Sequence, residues 1–258
     1  MRRNPDLDME PDLAESYEVS QDGKEYIFKL KKSVKWHDGY PFTAHDVKFT
    51  FDTIVNPKTN TVRRSHFIIG GKPVEWVVID DYTIKAILSR PFSPFISVMN
   101  MQIIPKHLLD GQDVNTADFN RNPIGTGPFI FKEWKSGQYV HVIQNPDFYK
   151  GKPKIKEVIL KIIPDTNTAM AALQNNELDL AGIASKDVAR FEKMKDINVF
   201  KYYGLNYSYL GLNIRKSPLS QLPLRKAISH ALNKEAVVRG VLKGFGRPAY
   251  IPSSPVSW

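Results

Sequence analysis

A mixed α/β fold follows from three features of this 258-residue sequence. Short runs of alternating apolar and polar residues in the first half read as half-buried strands. From residue 155 onward, strands and helices alternate along the chain. Hydrophobic residues make up 42%, including 14 Phe, 11 Tyr and 4 Trp, enough to bury one large or two smaller cores.

The first well-patterned strand is 26–31, in which Tyr26, Phe28 and Leu30 point one way, after a turn at Gln21-Asp22-Gly23. Beyond a loop containing His37-Asp38-Gly39, Thr43 is placed to cap a helix with Asp46 in its first turn. Val47, Phe51 and Ile54 share one face of that helix, and Asn56-Pro57 ends it. Residues 74–79 and 82–88 flank Asp80-Asp81 and predict a β-hairpin. Short helices follow at 95–101 and 106–110. A second hairpin pairs 128–134 with 138–144 across Ser136-Gly137, with Phe129, Phe131, Tyr139 and His141 at alternating positions. Its entrance, 123–127, is irregular.

The later part predicts a strand at 155–163, a helix at 166–175, a short strand at 178–181, a helix at 185–195 and a strand at 197–201, a pattern of helices packed on a sheet. A strand-like run at 207–214 comes next. A helix beyond Pro218 carries Leu224, Ala227, Ile228 and Ala231, and Asn233 caps another that Gly244 and Gly246 stop. The stretch 248–255, rich in Pro and Ser, reads as a connecting loop.

A net charge of +9, from 36 Lys+Arg against 27 Asp+Glu, is compatible with nucleic acid, anionic lipid or an acidic partner. The basic residues come in short pairs (Arg2-Arg3, Lys31-Lys32, Arg63-Arg64) rather than in a stripe, which reads as a solvated surface. With no cysteine, disulfide and thiolate chemistry are excluded, and compartment is left open. The start is basic but meets Asp6, Asp8 and Glu10 instead of an apolar stretch, so it does not read as a signal peptide. No run is long enough to cross a bilayer.

An enzyme needs a nucleophile with its base, paired acids or a metal cluster. The six histidines are scattered, and neither Gly-x-Ser-x-Gly nor His-Glu-x-x-His occurs. His37 beside Asp38 imitates a catalytic dyad, but the pair reads better as a hydrogen-bonded turn.

Several blocks, in order, resemble one family. They are Pro11-Asp12-Leu13-Ala14-Glu15-Ser16-Tyr17 with Asp22-Gly23, Phe28-Lys29-Leu30-Lys31, Trp36-His37-Asp38-Gly39 and Phe42-Thr43-Ala44-His45-Asp46-Val47; then Pro123-Ile124-Gly125-Thr126-Gly127-Pro128-Phe129; Asn145-Pro146-Asp147-Phe148-Tyr149; Gln174-Asn175-Asn176-Glu177-Leu178-Asp179; and Leu212-Asn213 through Leu224-Arg225-Lys226-Ala227-Ile228. The chain resembles the peptide/nickel class of bacterial extracytoplasmic solute-binding proteins, which serve ABC importers. Residue by residue the blocks also have plain structural readings: Asp38-Gly39 and Gly125-Thr126-Gly127 suit tight turns, because glycine accepts positive φ.

The resemblance implies a type II periplasmic-binding-protein fold, with residues 1–120 as an additional domain on the first lobe, 121–205 as part of that lobe, and 206–258 as the hinge crossover and start of a second lobe that is incomplete. It implies a non-catalytic function without a cofactor or metal: binding di- or oligopeptides outside the cytoplasmic membrane and docking onto ABC permease subunits. Membrane association would come only through the permease or a lipid anchor outside this chain. Nickel complexes and oligosaccharides are alternatives within the family, and a basic nucleic-acid module is the alternative outside it. An incomplete lobe also predicts feeble peptide affinity and a tendency to dimerise.

The crossover segment 206–213 supplies the first candidate site. Alternation sets Tyr207, Tyr209 and Gly211 on one side and Asn206, Ser208, Leu210 and Leu212 on the other. The resemblance places Tyr209 and Gly211 at pocket-facing positions, with Asn206, Tyr207 and Asn213 beside them; sheet packing serves the tyrosines equally well. Gly125, Thr126 and Gly127 are the second candidate, a loop whose backbone N–H groups could meet a carbonyl or carboxylate. Trp134, Tyr202 and Tyr203 are lesser candidates.

Overall fold

The computed structural model describes residues 1–202, 204 and 206–251. The chain divides into two units, Met1–Ile162 and Ile163–Trp258.

The first unit opens with a two-stranded antiparallel ribbon, β1 (Arg2–Arg3) with β2 (Met9–Glu10). Strands β3 (Ala14–Val19) and β4 (Glu25–Leu30) follow, then helix α1 (Ala44–Val55) and a small ribbon of β5 (Ile68–Ile69) and β6 (Lys72–Pro73). Strands β7 (Glu75–Asp80) and β8 (Thr83–Ile87) complete an antiparallel sheet in the order β3-β4-β8-β7. The period-2 pattern of β4 sets which face is buried: Tyr26, Phe28 and Leu30 are each 5% exposed, while Lys29 between them faces solvent.

Helix α1 lays Val47, Phe51 and Ile54 into the same core. The Phe51 ring stacks on Trp76 of β7 at 4.1 Å and meets Phe67 edge-on at 4.8 Å. Its N-terminus is anchored by Asp46, a carboxylate only 4% exposed. Asp46 accepts from the Thr43 backbone N–H at 2.9 Å, from the Lys106 backbone N–H at 2.9 Å and, more distantly, from Trp36 Nε1 at 3.4 Å. One side chain thus caps α1 and ties it to helix α2 (Lys106–Leu109). The predicted helix at 95–101 is a 3₁₀ turn, Ser93–Val98.

The turn after Trp36 needs glycine for conformation alone. Gly39 has φ +88°, and no heavy atom lies within 4 Å of a Cβ placed there. Gly39→Ala is therefore expected to cost about 1–2 kcal/mol, read as a lowered denaturant midpoint at unchanged slope.

A second antiparallel sheet runs β11-β10-β9, from β9 (Phe129–Lys135), β10 (Tyr139–Gln144) and β11 (Glu157–Lys161). The predicted hairpin turn is present, with Gly137 at φ +71°. A register shift between His141 and Val142 interrupts the expected alternation of this hairpin. His141, buried, pairs with Glu157 across the ladder at 3.0 Å.

The second unit holds α3 (Thr166–Gln174), α4 (Val188–Phe191), α5 (Leu222–Ala231) and α6 (Lys234–Gly240). Asp165 caps α3 by accepting from Thr168 N at 2.7 Å, and Asn233 caps α6 by accepting from Ala236 N at 2.8 Å, as its sequence position predicts. Met170, Val188 and Phe191 are buried. The strands expected at 178–181, 197–201 and 207–214 do not form among the described residues, and the helix expected at 185–195 shortens to α4. A strand needs a neighbour for its N–H and C=O groups, and these runs have none within their unit. Their apolar residues stay outside: Leu180 is 86% exposed and Phe200 82%. The predicted loop at 248–255 lies mostly outside the described residues. Among the described residues no helix is long and apolar enough to cross a membrane.

Candidate functional site

In the first unit, three stretches far apart in sequence meet at one atom, the carbonyl oxygen of Gly127. His37 Nε2 lies 3.0 Å from it and Asn145 Nδ2 donates to it at 3.0 Å. Both of its acceptor directions are therefore used. His37 also grips Gly125 through its backbone, donating to the Gly125 carbonyl at 2.9 Å. The Gly125 N–H donates in turn to His37 Nδ1 at 3.1 Å. Asn145, 6% exposed, is held by its own Oδ1 accepting from Asp147 N at 3.0 Å.

These bonds settle the state of the imidazole. A backbone N–H can only donate, so Nδ1 is an acceptor without a proton, and the ring's single proton sits on Nε2, where it points at the Gly127 carbonyl. Burial holds the His37 pKa below its ordinary value of 6.5, against opposing contributions from the Gly127 bond and the Asp38 charge. His37 is thus a neutral fastener for the loop Gly125-Thr126-Gly127. The loop's remaining amides, those of Thr126 and Gly127, meet no partner among the described residues.

One sequence expectation is corrected here. Neither Gly125 nor Gly127 has positive φ, so the turn does not need glycine for its backbone conformation. A Cβ at Gly127 would have no heavy atom within 4 Å, and one at Gly125 would touch His37 Cε1 at 3.5 Å, an ordinary contact. His37 and Asp38 do not pair with each other, and the hydrogen-bonded turn expected of them forms, with the Gly39 N–H donating to the Trp36 carbonyl at 2.8 Å. Asp38 instead accepts from His107 Nε2 at 2.8 Å, and Tyr40 stacks on the His107 ring at 4.2 Å. Burial pushes the Asp38 carboxyl up, but His107 and the Tyr40 N–H outweigh it and leave the pKa lowered.

The second predicted group lies in the other unit. The Tyr207 and Tyr209 rings are 5.8 Å apart, and the Tyr209 ring comes within 3.6 Å of a Cβ placed on Gly211, so these three residues share a side, as alternation requires. Tyr209 is 79% exposed, and Asn206 is exposed. Asn213 is exposed and its Oδ1 accepts from Arg215 N at 3.1 Å in a local turn. Of the lesser candidates, Trp134 carries the Arg121 guanidinium 4.3 Å over its ring, Tyr202 is 90% exposed, and Tyr203 lies outside the described residues. A depression of about 400 Å³ lies elsewhere in the first unit, between α1 and the chain around residues 101–120; it holds none of the predicted site residues. Among the described residues no three His, Asp or Glu side chains gather as metal ligands.

Sequence reasoning missed His37 and Asn145 as partners of the loop. The available signal was that their blocks accompany the glycine block in the family resemblance.

Comparison with known proteins gives this clasp its context. The family model for bacterial extracellular solute-binding proteins, family 5, matches residues 8–258, nearly the whole chain. The chain belongs to that family. Its similarity to curated family 5 proteins includes the oligopeptide-binding protein AppA of Bacillus subtilis, 36% identical over 98% of this chain and 47% of that protein. The dipeptide-binding protein of Escherichia coli is 33% identical over 96% and 50%, respectively. The chain therefore spans about half the length of the curated relatives it matches. Among solved family 5 structures, AppA from Bacillus subtilis in complex with a nonapeptide superposes with a TM-score of 0.89 at 33% identity, covering 100% of this chain and 52% of that one. NikZ from Campylobacter jejuni in complex with Ni(L-His) gives 0.87 at 32% identity, covering 97% and 50%. The fold is thus that of the type II periplasmic-binding proteins.

Proposed function

We propose that this chain is part of a non-catalytic solute-binding component of an ABC importer that takes up di- or oligopeptides outside the cytoplasmic membrane and docks onto permease subunits. The observation that carries this reading is the superposition of the whole chain on a relative that holds a nonapeptide. The two unpartnered amides of Thr126 and Gly127 support it, because an extended peptide presents carbonyls that such amides can receive. Tyr207, Tyr209 and Gly211, with Asn206 and Asn213, are a second group that we assign to solute binding. Residues 1–120 serve as an additional domain, 121–205 as part of the first lobe, and 206–258 as the crossover and start of the second.

Likeness to the Ni(L-His)-bound NikZ favours a second reading, in which the solute is a small metal complex. Native mass spectrometry with pooled short peptides, Ni²⁺–histidine and neutral oligosaccharides separates these. Peptide adducts that unlabelled peptide displaces are expected. Saturable uptake of the nickel complex or a sugar, with none of peptide, overturns the peptide reading. The apolar residues exposed on the second unit favour association of copies, read by light scattering as mass rising with concentration.

A further inference from the structure

We propose that His37 is a positioning residue for the solute site: as a neutral ring it holds Gly125-Thr126-Gly127 in the form that offers its amides, and on taking a second proton it loosens the Gly125 end of the loop. This rests on the reading of that loop as part of a peptide site. The clasp itself rests on geometry alone.

Four contacts define it. His37 donates from its backbone to the Gly125 carbonyl at 2.9 Å, receives the Gly125 N–H on Nδ1 at 3.1 Å, and faces the Gly127 carbonyl through Nε2 at 3.0 Å, where Asn145 is the second donor at 3.0 Å. Only one of the four depends on a bare nitrogen. When Nδ1 is protonated, two N–H groups point at each other across that contact, and an attraction becomes a repulsion inside a half-buried site. The other three contacts tolerate the charge. Protonation therefore loosens the Gly125 end first and leaves the Gly127 end tethered to Asn145.

The charged surroundings set the direction. Asp38, on the same turn as His37, favours the protonated ring, but its carboxylate is engaged by His107 of α2. The loop residues 123–128 carry no ionisable group, and Asn145 is neutral. Burial resists the charge most strongly, so the folded ring binds its proton less readily than the unfolded one. The clasp's contribution is then complete above the ordinary imidazole value of 6.5 and declines as pH falls through it toward the lower folded value. A hydrogen bond exchanged for a buried clash corresponds to a population shift of about tenfold or more.

The test uses the intact chain labelled with ¹⁵N. At pH 7.5 the ring should show the Nε2–H tautomer and a scalar coupling between the Gly125 amide nitrogen and His37 Nδ1. As the pH is lowered until the ring nitrogens report the second proton, that coupling should vanish, and protection of the Gly125 amide from hydrogen exchange, corrected for the intrinsic effect of pH, should fall about tenfold while the β8 amides stay protected. His37→Asn keeps an acceptor near the Nδ1 position and cannot titrate, so it should abolish the pH dependence of Gly125 protection. An Nδ1–H tautomer at pH 7.5, or a ring that titrates with Gly125 protection unchanged, overturns the clasp.

A peptide titration on the same sample completes the test, with binding expected to weaken about tenfold between the neutral and the protonated ring, in parallel with loss of the coupling. Binding equal at both pH values after the coupling has gone overturns the positioning role. No peptide binding at either pH, with the coupling behaving as expected, overturns the peptide reading and leaves the clasp standing.

Discussion

Phe51→Ala lowers the unfolding free energy of the first unit by about 3–5 kcal/mol, the range for removing a buried phenylalanine. The ring is 1% exposed and packed on two sides, against Trp76 of β7 and Phe67. The β3-β4-β8-β7 sheet and the helix that covers it lose their common anchor, so neighbours cannot close the gap without moving the helix. Guanidinium titration followed by tryptophan fluorescence measures this directly, because Trp76 reports on the stacked partner. Phe51→Leu, which retains most of the volume, should recover more than half of the loss; equal destabilisation by both substitutions would show that aromatic stacking, not volume, dominates the site.

Asp46→Ala is the second large loss, about 3–5 kcal/mol, and its origin is polar. Removal strips the Thr43 and Lys106 amides of an acceptor in a place water reaches poorly, and each unmet buried donor costs about 1–3 kcal/mol. The lost helix cap adds about 1 kcal/mol. Asp46→Asn keeps one oxygen and serves one of the two amides, so its loss should be about half as large. Chemical denaturation of the three proteins side by side tests the order. Asn as damaging as Ala would mean that the negative charge at the N-terminus of α1, rather than acceptor geometry, carries the effect.

Both hairpins, α1 with its Thr43 start, and the cap at Asn233 could be read from the sequence, because each is specified by residues within a dozen positions of one another. Strand β3 could not. Only Ala14 of its six residues is buried, so Ala-Glu-Ser-Tyr-Glu-Val carries no alternating signal, and it is a strand because β4 is beside it. The opposite error arose at 207–214, where alternation was clear but no partner strand is present among the described residues. For the site, residue types identified the loop 125–127 as important while misassigning the reason: glycine at positive φ was expected, and the bonds to His37 and Asn145 were found instead. A contact spanning 88 residues leaves no local trace, which is why the sequence showed the turn at His37-Asp38 but not the partner of the His37 ring. Tyr207, Tyr209 and Gly211 do share a side, as spacing alone required.

The double acceptance at the Gly127 carbonyl has a consequence for the order of folding. One of its bonds closes a chain segment of 18 residues, to Asn145, and the other a segment of 90, to His37. Loop-closure entropy makes the longer closure costlier by about 1.4 kcal/mol. The Asn145 bond therefore belongs to an early local event with the β9–β10 hairpin, while the histidine latches late, after the two sheets of the unit have met. What latches last in assembly is the natural first place to let go.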